Sequence, residues 1–109
     1  MKQTKNLEAV MGLIIHSGNA KSDAVEAIEA AKTNKFELAE AKIESANKSI
    51  VEAHHAQTNM LTQEANGESV EITLLTVHSQ DHLMTSIAFT DLAKEIIDLY
   101  VKINSFNLV

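Results

Sequence analysis

The chain has no cysteine, no proline and no tryptophan, and only three glycines. Without cysteine there is no disulfide, no thiolate metal site and no thiol nucleophile. Sandwiches and barrels need many tight turns, and those draw on glycine and proline. A chain so poor in both is expected to be mostly helical. Aromatic residues make up 4% of the total, so the core must come from Leu, Ile, Val, Ala and Met. Basic charge is also scarce: 9 Lys and Arg against 15 Asp and Glu leave a net charge of -6. That argues against a partner with a phosphate backbone. Long hydrophobic runs are missing as well. The first apolar stretch, Ala9 to Ile15, is interrupted by Gly12. It is too short for a signal-peptide core or a membrane span. The segment before it, Met1-Lys2-Gln3-Thr4-Lys5-Asn6, is polar. The expectation is a cytoplasmic protein with no nucleic-acid partner and no direct membrane insertion.

What is present suits one small globular domain spanning residues 1–109, with 45% hydrophobic and 22% charged residues. Apolar spacing predicts an all-α fold of three helices, at roughly 7–32, 36–65 and 74–103. In the first, Leu7, Val10, Met11, Ile14, Gly18, Ala24, Val25, Ile28 and Ala31 recur at steps of three and four and form the expected inner face. Gly12 and Gly18 suggest that a second backbone comes close. Thr33-Asn34-Lys35 is a short break, so the second helix should run antiparallel to the first. Its expected stripe is Phe36, Ala39, Ile43, Ala46, Ile50, Ala53, His54, Gln57 and Leu61, and Asn66-Gly67 stops it. Val70, Ile72 and Leu74 alternate with polar residues, a strand signal. A lone strand has no partner, so the segment is read as a loop feeding the third helix. The tail Asn104–Val109 is expected to fray.

The third helix is too apolar for a lone bundle. On a wheel at about 100° per residue, Lys94, Asp98, Gln80, Asp91, Lys102 and Glu95 fall in one polar arc. Met84, Ala88, Phe89, Leu92, Ala93, Ile96, Leu99, Tyr100 and Ile103 fill most of the rest. A helix packed on two neighbours needs an apolar stripe somewhat over 100° wide, and this one is about twice that. The surplus face should be covered by another subunit.

His78, Asp81 and His82 lie inside that apolar arc, where polar groups need a reason. His78 and His82 are one helical turn apart. Three readings compete. One is a metal site built on a His pair with a nearby carboxylate. It is not the zincin motif, because Ser79 stands where that motif has Glu. Glu52-Ala53-His54-His55 holds a Glu-x-x-His step, but a di-iron bundle needs two. The second reading is a hydrogen-bonded core histidine, preferred for His16, His54 and His55. The third is a histidine nucleophile that takes a phosphoryl group on a neutral ring nitrogen. Gln80 could donate to that group, and free N–H groups would assist if His78 lies in the first helical turn.

The string Val77-His78-Ser79-Gln80-Asp81-His82-Leu83-Met84-Thr85 resembles the signature of the enzyme IIA component of the lactose/cellobiose branch of the bacterial phosphoenolpyruvate-dependent sugar phosphotransferase system. Val10-Met11-Gly12-Leu13-Ile14-Ile15 with Ser17-Gly18-Asn19-Ala20-Lys21-Ser22 resembles that family's first helix, and Glu52-Ala53-His54 with Gln57-Thr58 its second. The surroundings of Met11 and Ile14 resemble the cellobiose and chitobiose side more than the lactose side. The resemblance implies an antiparallel up-down-up three-helix bundle assembled as a homotrimer. It implies that His78 receives phosphate from HPr and passes it to a cysteine of the IIB component, while the membrane IIC component selects the sugar. It places Gln80 and His82 around the phosphorylated histidine. It places Asp81 where three subunits meet around one divalent cation per trimer, Mg²⁺ by the hardness of its donors. The alternative from another class is a non-catalytic helical metal-binding or adaptor protein.

Overall fold

The computed structural model describes residues 6–106. The polar segment up to Lys5 and the last three residues of the tail lie outside the described residues. Three helices follow one another: α1 (Leu7–Lys32), α2 (Phe36–Ala65) and α3 (Leu74–Phe106). They pack as an antiparallel three-helix bundle, with α1 against both α2 and α3. The bundle measures 67 × 24 × 19 Å. Its radius of gyration is 17.4 Å, against about 13 Å for an ordinary domain of this length. None of its helices is long and apolar enough to cross a membrane.

The connections follow from a few residues. At the end of α1, Asn34 takes φ 62°. The Lys35 N–H then reaches the Ala30 carbonyl at 2.9 Å and the Asn34 N–H reaches Ala31 at 3.1 Å. Gly67, at φ 87°, does the same for α2. There the Glu68 N–H donates to Gln63 and the Gly67 N–H to Glu64, both at 3.1 Å. These paired bonds satisfy carbonyls that a helix end leaves open, and they need a left-handed residue, which Asn and Gly tolerate best. No strand forms over Val70–Leu75. Val70 instead tucks against Val10, Leu13, Ala53, Met60 and Leu83. Thr73 then caps α3, its Oγ1 accepting the Thr76 N–H at 3.1 Å. At its far end α3 continues through Asn104 and Ser105 to Phe106, past the expected stop at 103. No Gly or Pro interrupts it there, and Ser105 Oγ bonds back to the Lys102 carbonyl at 2.7 Å.

The inner faces are lined by small side chains. Among the described residues, nine of the thirteen buried hydrophobic ones are alanines, including Ala20, Ala24, Ala27, Ala46 and Ala93. Ser17, Ser79, Ser86 and Thr90 are buried beside them. Ser86 Oγ donates to the Ser17 carbonyl at 2.9 Å, which ties α3 to the backbone of α1. Of the large apolar residues, Val10, Leu13, Met60 and Leu83 are buried with the small ones and most others lie outside. Leu7, Met11 and Val25, expected to face inward, are exposed, and α1 buries Val10, Leu13, Ser17, Ala20 and Ala27. On α2, Met60 is buried while Leu61 is exposed. Met11, Val25 and Leu61 each lie one helical step, about 100°, round from the neighbour that is buried in their place, Val10, Ala24 and Met60. Gly12 and Gly18 have nothing within 4 Å of where a Cβ would stand, so no backbone of the same chain comes close to them.

Two sign-opposed outcomes are expected in urea unfolding at matched protein concentration. Gly12→Ala, in open helical backbone, should stabilise by about 0.5–1 kcal/mol. Gly67→Ala should destabilise by about 1 kcal/mol or more, because its φ is positive. Thr73→Ala should cost about 1 kcal/mol and speed amide exchange at Thr76, whose N–H loses its cap.

Candidate functional site

The chemistry-bearing residues lie in the second and third turns of α3. His78 is the fifth residue of that helix, beyond the first turn. The Thr76 N–H is already capped, and the Val77 N–H bonds the Thr73 carbonyl at 3.0 Å. Free first-turn donors therefore do not surround His78, and the dipole effect fades beyond that turn. What His78 has is exposure and a neighbour. Its ring stands edge-on to the His82 ring, with centroids 5.3 Å apart and planes at 88°. His82 is half-buried, and its Nδ1 is buried without a hydrogen-bond partner. A buried polar atom left unpaired costs on the order of 1–3 kcal/mol.

Gln80 does not sit in a solvated polar arc. It is half-buried and turns toward α2, where Gln57 Nε2 donates to Gln80 Oε1 at 2.8 Å. Gln80 Nε2 lies 3.9 Å from Met60 Sδ. These three residues line a cavity of about 270 Å³, together with Leu61, Val70 and Val77. Sequence reasoning placed Gln57 on the inner stripe without giving it a role. A polar residue in an apolar row needs a partner, and that signal could have paired it with Gln80.

Asp81 stands between these two groups on the open face of α3. No side-chain partner meets its carboxylate among the described residues; only its backbone carbonyl is used, accepting from Thr85 Oγ1 at 2.9 Å. Val77 and Met84 flank it, exposed to 52% and 55%. The same face carries Ala88, Leu92, Leu99 and Ile103, all exposed. Asp81 thus lies within a largely apolar row, with Glu95 the next exposed carboxylate on that side of α3.

Among the described residues, one chain gathers no group of three or more His, Asp or Glu that could hold a metal. Neither His78 with His82 and Asp81 nor the Glu52–His55 stretch does so. The remaining histidines are not core residues as expected. His54 and His55 are exposed and His16 is half-buried. Ala53 is the residue that faces inward, and the two histidines after it turn progressively away.

Comparison with known proteins gives the family and the fold. Residues 8–101 match the family model described as the lactose/cellobiose-specific IIA subunit of the phosphotransferase system. The lichenan-specific phosphotransferase enzyme IIA component of Bacillus subtilis is 47% identical over 88% of this chain and 87% of its own length. The crystal structure of the cellobiose-specific enzyme IIA from Bacillus anthracis superposes with a TM-score of 0.92 at 43% identity, covering 95% of both chains. The solution structure of the IIA(Chitobiose)–HPr complex from Escherichia coli gives a TM-score of 0.80 at 38% identity, covering 94% of this chain and 99% of that one. The chain belongs to the lactose/cellobiose-specific IIA family of the phosphotransferase system and is a phosphotransferase component of that system.

Proposed function

We propose that this chain is a cytoplasmic phosphocarrier that accepts a phosphoryl group on His78 from phosphorylated HPr and passes it to the cysteine of the IIB component. The relay serves uptake and phosphorylation of a disaccharide of cellobiose type, which the membrane IIC component selects. The observation that carries the reading is the exposed His78 imidazole, edge-on to half-buried His82, in a chain of the IIA family. A solved relative in complex with HPr supports that donor. In the first step a neutral ring nitrogen of His78 attacks phosphorus, and the bond from phosphorus to the HPr histidine breaks. In the second the IIB thiolate attacks, and the bond to His78 breaks. The phosphoryl group passes through a loose, nearly flat state each time, so positioned donors matter more than covalent chemistry. His82, one turn along, can orient what His78 holds.

The same reading makes the assembly a homotrimer. Val77, Met84, Leu92, Leu99 and Ile103 form an exposed apolar row along α3 too long to leave in water. Three such rows meeting on an axis bury it. They also bring three Asp81 carboxylates together, and like charges in a dry seam repel strongly unless something neutralises them. A set of carboxylate oxygens suits a hard divalent cation, Mg²⁺ above softer metals. One chain offers only Asp81 there, so the cation would need all three. Bound, it would supply charge neutralisation at the seam and no part of the phosphoryl transfer.

Incubation with phosphoenolpyruvate, enzyme I and HPr should add one phosphate per chain by intact mass, lost in acid and kept in base. His78→Ala should abolish the addition and leave helix content unchanged. Phosphate on a peptide holding His54 and His55 but not His78 would sink the assignment. A chain that stays unmodified while binding stoichiometric zinc would support the adaptor alternative. Asp81→Leu should give a trimer whose thermal midpoint no longer responds to chelator or added Mg²⁺, whereas the unmutated chain loses stability when chelated.

A further inference from the structure

Lys21 of α1 carries a charge that its own chain leaves unanswered. Its Nζ stands over the Phe89 ring of α3, 5.9 Å from the centroid. The residue is half-buried, and no carboxylate pairs with its ammonium among the described residues. A ring face attracts an ammonium, but it does not satisfy the three N–H donors of a lysine. A charge taken partly out of water calls for an opposite charge. On α3, Asp91 has one to offer. Its contact with Lys94 is loose, at 3.8 Å, and its side chain is 69% exposed. The two cannot meet within one chain. Measured round α3 from Asp81 at about 100° per residue, Phe89 lies roughly 80° to one side and Asp91 roughly 80° to the other. Along the helix axis they differ by only about 3 Å.

A threefold ring brings them together. Rotation about an axis keeps every residue at its own height. With Asp81 toward that axis, one flank of each α3 meets the opposite flank of the next. Lys21, on the Phe89 flank, then faces Asp91 of the neighbouring chain. We propose that a Lys21–Asp91 ion pair closes each seam between chains and sets which chains the assembly admits. This rests on the trimer proposed above. Two observations favour a second copy of the chain as the partner of both residues. The opposite charges stand at matching height on opposite flanks, which is the placement a rotation axis pairs. The exposed Met84, Ala88 and Leu92 lie between those flanks, so the pair is continuous with the apolar row that the same assembly buries. Shut off from water at the edge of that row, the contact becomes a charge-assisted hydrogen bond. It discriminates more than it binds, because like charges brought together at an interface cost several times what an exposed pair contributes.

Charge reversal and self-sorting test this. Lys21→Glu alone, or Asp91→Lys alone, sets like charges in every seam. Either should raise the protein concentration at which half the chains are trimeric on the order of 10²-fold, with helix content unchanged. The combined variant, Lys21→Glu with Asp91→Lys, should restore the trimer. A pair within one chain would be restored as well, so the deciding arm is mixing. The combined variant and the unmutated chain are co-expressed under two tags, and the assemblies are counted by native mass. Any mixed trimer holds like charges at two of its seams, so mixed species should fall well below their statistical share. Should a reversed chain fold poorly, Lys21→Met and Asp91→Asn serve instead. Each should weaken the trimer, and the two together should weaken it no further, because either change already removes the pair. Mixed trimers at the statistical share, additive neutral variants, or a Lys21→Glu trimer of full strength would overturn the ion pair and leave the trimer standing. An unmutated chain that stays a monomer would overturn the trimer itself.

Discussion

Everything in this bundle depends on how closely α1 approaches its neighbours. Rows of Ala, Ser and Thr line the inner seams, and a side-chain hydroxyl of α3 bonds directly to the α1 backbone. Such seams hold few large side chains, with Val10, Leu13, Met60 and Leu83 gathered in one cluster, because protein interiors are packed to crystal-like density. Most large apolar residues are therefore displaced outward, and among the described residues seventeen are exposed. A bundle that is small inside and large outside packs its backbones tightly yet leaves much apolar surface in water. The proposed association with further copies of the chain would bury that face of α3.

That inversion also marks the limit of what was legible in the sequence. The helix stops were readable, because Asn34 and Gly67 are the residues that tolerate the left-handed conformation a tight helix end requires. The three helices and the surplus apolar face of the third were readable from spacing alone. The inward faces of α1 and α2 were read in part: Val10, Ala24, Ala31, Ala39, Ala46 and Ala53 are buried as expected, whereas Leu7, Met11, Val25 and Leu61 are exposed and Leu13, Ser17, Ala20, Ala27 and Met60 are buried instead. His16, His54 and His55, expected as hydrogen-bonded core residues, lie outside that core. The end of α3 was set too early because the tail from Asn104 was expected to fray, although no residue up to Phe106 breaks the helix.

The candidate site was legible in a different way. Spacing put His78 and His82 on one face but could not choose among ligand, core residue and nucleophile. Resemblance to the family chose the nucleophile, and the fold then explains how the residues are held. Thr73 starts α3 so that His78 falls clear of the capped first turn and stays exposed. Asp81 falls in the middle of the apolar row, and Gln80 is drawn to the far side by Gln57. That last contact spans two helices, and periodicity along one helix cannot reveal it.

The most direct test of this account is the mass of the assembly in solution. Sedimentation velocity over a range of micromolar concentrations in Mg²⁺ should show one species at three times the 11.9 kDa chain mass. A species at the mass of one chain throughout that range would contradict the account, because the exposed row on α3 and the carboxylate within it would then have no partner to explain them.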